Sequence, residues 1–165
     1  MTVQDVDWKL TDDMGGALSA RWYRWARSAP RWLDPIRDRE GKHGGRRQPR
    51  DVWFLAGNFG GRVVRHCTVP AGTPVFFPVI NQWWTLPGGW SRVPEVLTAT
   101  AHLDGVPLEV TEYVSPAFHH RLWFHRCWGM WSAIAPLSPG SYLVDFRAET
   151  TDGFWLDVVY HLTVE

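Results

Sequence analysis

The chain lacks most of what would assign it a class at once. It has two cysteines, Cys67 and Cys127, in 165 residues. That is too few for a disulfide framework, and two free thiols in a reducing compartment are expected. No apolar run reaches the length of a membrane span. The first residues, MTVQDVDWKLTDD, carry neither a basic n-region nor an apolar h-region, so the expected location is the cytoplasm. An excess of one charge is missing too: Lys plus Arg equals Asp plus Glu at 17 each. This argues against nucleic acid and against a membrane surface as partners. No G-x-S-x-G, H-E-x-x-H, C-x-x-C, Walker or G-x-G-x-x-G pattern occurs, so no motif demands a cofactor.

What is present is tryptophan, twelve in all. The indoles fall in groups: Trp22 with Trp25, Trp83 and Trp84 with Trp90 close behind, then Trp123, Trp128 and Trp131. Each offers a large apolar surface and one N–H that needs a partner when buried. Such groups line cavities, build aromatic binding faces or fill small cores. With 45% hydrophobic and 21% charged residues, the chain is too apolar for disorder. Its length suits one domain, 1–165, able to bury roughly 70% of its unfolded surface.

Periodicity divides that domain in three. In segment 1–36, Thr11, Asp12 or Asp13 can cap a helix whose stripe is Leu18, Trp22, Trp25 and Ala26, with Pro30 and Pro35 ending it. Residues 37–50 form a polar Gly-rich loop, and its cluster Arg46, Arg47 and Arg50 reads as a solvated connector. From 51 to 165 the period is two. DVWFLAG, RVVRHCTV, TPVFFPVI, VLTATAHL, PLEVTEYV, RLWFHRCW, MWSAIAPL, SYLVDFRAET and FWLDVVYHLTV read as strands. Asp104-Gly105 and Thr151-Asp152-Gly153 are turn signals. Pro74 and Pro78 in the apolar TPVFFPVI suggest a strand with one unpaired edge. The fold expected is mainly β: an antiparallel sandwich or barrel, jelly-roll-like, with one N-terminal helix.

The phrases RWYRWARSAPRWLDPIRD, VWFLAGNFGG, RHCTVPAGTPVFFPVIN, HLDGVPL, SPAF, APLSPGSYLVDF and VVYHLTV, in that order, resemble a widespread family of bacterial proteins, many of them exported. The likeness spans most of the chain but implies no activity, since none is established for that family. The HHRLWFHRCW segment and the missing export signal depart from its pattern.

Several side chains could carry chemistry. On FWLDVVYHLTV, Trp155, Asp157, Val159 and His161 share the face opposite the apolar set. If that face lined a cavity, Asp157 and His161 would serve as acid–base groups, each with partners from adjacent strands, because about 13 Å separates them along the strand. His66 has the same character on RVVRHCTV. His125 and Cys127, about 6.6 Å apart by strand rise, could share a transition metal if His66 or His161 completed the set; His119, about 20 Å from His125, could not join it. The plainer reading is a histidine-rich edge strand beside a buried thiol. NFGG, at 58–61, lacks the Lys and helix of a phosphate loop and reads as a turn with positive φ at Gly60 and Gly61. NQWWTLPGGW, at 81–90, is the expected binding loop.

Two functions from different classes follow. One is a small-molecule site for an apolar or aromatic ligand, lined by Trp83, Trp84, Trp90, Trp123 and Trp155; acid–base chemistry at His161, Asp157 and His66 would make it a small cyclase or isomerase. The other is a non-enzymatic interaction module, whose exposed tryptophans form a patch for a protein, a sugar or another copy in a homo-oligomer.

Overall fold

The computed structural model describes residues 5–88 and 92–165. Helix α1 spans Asp12–Arg27 and is capped by Thr11, whose hydroxyl accepts the Met14 N–H. Asp12 and Asp13 in its first turn and Arg24 and Arg27 in its last complement the helix dipole. Leu18, Trp22, Trp25 and Ala26 are buried, as the stripe predicts. Gly15 and Gly16 let the helix lie unusually close to the sheet: a Cβ on Gly15 would stand 2.4 Å from the Tyr113 ring, and one on Gly16 2.8 Å from the Val114 carbonyl. A 3-10 turn, Arg31–Leu33, follows.

Among the described residues ten strands build the rest: β1 Trp53–Phe54, β2 Gly61–Val69, β3 Val75–Leu86, β4 Val96–Leu103, β5 Val106–Pro107, β6 Thr111–Val114, β7 Phe118–His120, β8 Trp123–Ile134, β9 Gly140–Thr150 and β10 Trp155–Val164. They form two five-stranded sheets, β1-β3-β8-β6 with β7 also on β8, and β2-β10-β9-β4-β5. The mainly β fold with one N-terminal helix is therefore as expected, in sandwich-like form. The sheets are mixed rather than antiparallel, because β1 pairs with β3 and β2 with β10 in parallel. Local hairpins are antiparallel by necessity, whereas these two pairs join strands separated by long connections. The turns behave as their residues dictate. Asp104 and Gly105 have φ of 48° and 78° in the β4–β5 hairpin, and Gly60 and Gly61 have φ of 122° and 80°. β3 has a register shift between Pro78 and Ile80, and its β1 partner reaches only Phe54, so the missing N–H of Pro78 costs no ladder bond on the open edge.

Three layers result. Phe77, Val79, Trp84, Trp128, Phe146, Tyr160 and Leu162 pack between the sheets. On the other face of the β1-β3-β8-β6 sheet, Trp22, Trp25, Phe54, Phe76, Tyr113 and Trp131 pack under α1. Six of the twelve tryptophans, Trp22, Trp25, Trp53, Trp84, Trp128 and Trp131, are thus core, divided between two layers. Three of their N–H groups find acceptors: Trp22 donates to Leu55 O at 2.9 Å, Trp25 to Arg46 O at 2.9 Å and Trp128 to Glu112 at 2.8 Å.

Among the described residues the one cation in the interior is Arg65 on β2, 1% exposed, and no carboxylate among them pairs with it. Its guanidinium donates to Ile36 O (2.8 Å), Asp38 O (2.6 Å), Ala56 O (2.8 Å), Gly57 O (2.9 Å) and the Tyr160 hydroxyl (2.9 Å). The Tyr160 O–H in turn donates to Ala56 O at 3.0 Å. A planar fork with five donors satisfies an acceptor cage that an ammonium cannot fill. Arg65→Met should therefore cost about 3 kcal/mol or more, the scale of several charged hydrogen bonds with their acceptors left buried. Arg65→Lys should recover only part of it. Urea unfolding of the three proteins checks this, and a loss under about 1 kcal/mol for Met would contradict the role.

Candidate functional site

A strand's period of two decides which indoles can meet a ligand. In β3 the adjacent Trp83 and Trp84 face opposite ways. Trp84, 5% exposed, belongs to the core between the sheets. Trp83 is half-buried on the helix side, with its ring centroid 6.3 Å from Trp22, 5.6 Å from Tyr23 and 6.3 Å from Phe59. There a half-open cleft of about 240 Å³ lies among Trp22, Ile36, Phe59, Trp83, Phe154 and the amides of Asn58, Asn81 and Gln82. Arg27 sits over the Trp83 ring at 5.3 Å and Arg37 over Phe59 at 4.8 Å, within cation–π range.

The amides differ in what they have left to offer. Asn58 is used by the turn, donating to Gly61 O and accepting the Gly60 N–H. Asn81 makes one long contact, 3.9 Å, to the Cys127 sulfur. The Gln82 amide makes no side-chain hydrogen bond among the described residues. An adjoining polar hollow of about 530 Å³ shares Ile36, Asn58 and Phe59 with the cleft and is bordered by Arg37, Arg39 and Arg62. Its carboxylate, Asp38, accepts three backbone N–H bonds, from Glu40, Gly41 and His43. Burial pushes this carboxyl up, but those bonds outweigh it and hold Asp38 below the usual carboxylate range.

The residues expected to carry chemistry are elsewhere. Asp157 lies on the outer face of the second sheet as the middle of a cross-strand ladder, 2.6 Å from Arg62 and 3.3 Å from Arg147. On the same face His66 and His161 pair in register, with rings stacked at 4.7 Å. None of the three lines the cleft. Trp155, opposite Glu149 in register, is exposed on that face, and Trp123 is exposed at the start of β8. The structure thus does not gather Trp83, Trp84, His161 and Asp157 into one site, and Trp90 lies outside the described residues. The 81–90 segment is no loop up to Leu86: Asn81–Leu86 pairs with Phe124–Gly129. Its aromatic and β-branched residues outweigh the Pro-Gly tip.

His125 and Cys127 do share the helix-facing side of β8, buried. Both nitrogens of His125 are engaged. Nε2 lies 3.3 Å from His120 O, which can only accept, so Nε2 carries the proton. Nδ1, with one lone pair, lies 3.3 Å from the Tyr23 hydroxyl and 3.2 Å from the Thr85 hydroxyl, either of which can donate to it. His66 and His161, on the far sheet, cannot complete a set with them. Among the described residues no three of His, Cys, Asp and Glu come together as metal ligands.

The sequence signals for the cleft were slight. Asn58 and Phe59 belong to the turn read at NFGG, Phe154 opens the last strand, and Asn81-Gln82 is a polar pair interrupting the apolar run of β3. No protein-family model matches the chain, and a comparison with curated proteins finds no match. A solved structure described as "Structure of PbICP-C in complex with falcipain-2" is similar over 70% of this chain and 99% of that chain, at 11% identity and a TM-score of 0.36. Among the described residues no helix is long and apolar enough to cross a membrane.

Both thiols are free in the fold. Burial pushes each up to about 12, so neither carries appreciable thiolate at neutral pH. Native protein at pH 8 should therefore react slowly with a disulfide reagent at both positions, and unfolding without reductant should release two reactive thiols. Fast labelling of native Cys127, or fewer than two after unfolding, would contradict the arrangement.

Proposed function

We propose that this chain is a small-molecule-binding β domain whose ligand has an apolar or aromatic body and an anionic end. The observation that carries the reading is the half-buried Trp83 indole, which with Trp22, Phe59 and Phe154 walls a cleft of about 240 Å³. Cavities of about 150 Å³ hold benzene, so this volume suits one or two rings. The Gln82 amide supplies an uncommitted polar group for orientation. In the adjoining hollow Arg37 and Arg62 already pair with Asp34 and Asp157, and Arg39 favours a carboxylate or similar group at the ligand's outer end. His161, Asp157 and His66 stand away from this cleft, so the reading is one of binding rather than of cyclase or isomerase turnover.

The interaction-module reading would need one aromatic patch. The exposed tryptophans Trp32, Trp123 and Trp155 stand on three different elements: the 3-10 turn, β8 and β10.

Titration calorimetry with one- and two-ring aromatic carboxylates and their uncharged amides tests the proposal. The acids should bind more tightly than the amides. Trp83→Ala should weaken binding by about 1–3 kcal/mol, the scale of one buried aromatic contact, while the melting temperature stays near that of the parent. Trp84→Ala should instead lose about 3–5 kcal/mol of stability, as a core truncation does. His161→Ala should leave binding unchanged. Unaltered affinity in Trp83→Ala would sink the proposal, as would unfolding of that variant.

A further inference from the structure

The β7–β8 hairpin ends in three consecutive apolar residues that the fold leaves in water: Leu122 is 86% exposed, Trp123 57% and Phe124 55%. Successive side chains of a strand point to opposite faces. A flat protein surface could cover only one side of such a tip, whereas the interfacial zone of a bilayer surrounds both. The charge around it is of one sign. No Asp or Glu occurs between Glu112 and Asp145, and none between Asp13 and Asp34. The fold brings these two acid-free stretches together: Arg24 donates to His119 O at 2.9 and 3.2 Å, and Arg121 reaches Arg27 O at 3.4 Å. Arg27 is paired with Asp34, and Arg21 with Asp51. Arg24 and Arg121 have no carboxylate partner among the described residues. The chain-wide balance of 17 and 17, which argued against an anionic surface, averages over this end.

We propose that the Leu122–Trp123–Phe124 tip seats in the interface of an anionic lipid bilayer, with Arg24 and Arg121 at the headgroups. Aromatic side chains favour the headgroup level, and basic residues beside them add attraction to anionic lipid. The contact is peripheral: the tip wedges into the interface and no element spans the bilayer. It is separate from the cleft at Trp83, so either proposal can fail without the other.

Co-sedimentation of the whole chain with vesicles tests it. The protein should pellet with vesicles of phosphatidylcholine and phosphatidylglycerol, and not with phosphatidylcholine alone. Trp123→Ser and Leu122→Ser should each weaken apparent binding about tenfold, and Arg121→Glu by a similar factor. Melting temperatures should stay at the parent value, since these side chains are exposed, and Trp83→Ala should pellet as the parent does. Three outcomes would each overturn the proposal: no pelleting with anionic vesicles, equal pelleting with both vesicle types, or pelleting that the tip variants leave unchanged. A dimer seen without vesicles and dissociated by Trp123→Ser would also overturn it, assigning the tip to a second copy.

Discussion

The guanidinium of Arg65 is the tie on which the cleft end of the molecule depends. A cation in the interior without a carboxylate survives only if its desolvation is offset by hydrogen bonds. Here four backbone carbonyls and a hydroxyl supply them. The acceptors come from three places far apart in sequence: the 36–38 segment, the 56–57 segment and Tyr160 on β10. Ile36, Gly57 and Asn58, which line the cleft, are thereby fixed to the sandwich through one side chain. The polar 37–50 stretch gains order from the same anchor. Asp38 folds it back by accepting three N–H bonds, and Glu40 O receives the His66 N–H along the edge of β2.

The abundance of tryptophan has a structural cause. The β1-β3-β8-β6 sheet is covered on both faces, by the second sheet and by α1, so its central strands need apolar side chains in both directions. Trp84 and Trp128 serve one face, Trp22, Trp25 and Trp131 the other. Phe76 and Trp131 stack at 4.8 Å within 11° of parallel. Where this second core thins, between α1 and the 57–59 turn, an indole remains partly open. That is Trp83, and the cleft is the unfilled margin of an aromatic core.

Local chemistry was legible in the sequence. The Thr11 cap, the Trp22 and Trp25 stripe, the Asp104-Gly105 turn and the positive φ of Gly60 and Gly61 each follow from a residue and its immediate neighbours. Long-range pairing was not. Nothing near RVVRHCTV announces that it will lie parallel to the last strand, and without that pairing the neighbours of His66 and His161 could not be known. The inference that Trp155, Asp157 and His161 must line a covered site failed for a physical reason. An outer sheet face tolerates an exposed indole among charges, and the Arg62–Asp157–Arg147 ladder pairs the carboxylate with two cations there. NQWWTL pairs as a strand although its Pro-Gly ending reads as a loop. The arginine that anchors the cleft segments has no sequence signature, since one basic residue in an alternating strand looks like any outward-facing one.

The fold thus separates three regions: a rigid sandwich core, an amide- and arginine-edged aromatic cleft, and a basic apolar hairpin tip. The central claim is that the cleft at Trp83 is where a ligand binds. Each indole N–H gives its own signal in a nitrogen–proton correlation spectrum, so titration with a panel of two-ring aromatic carboxylates reads all of them at once. The account predicts saturable shifts at the Trp83 and Trp22 indoles, with Trp84, Trp128 and Trp155 unmoved. Shifts confined to those last three, or none for any member of the panel, would contradict it.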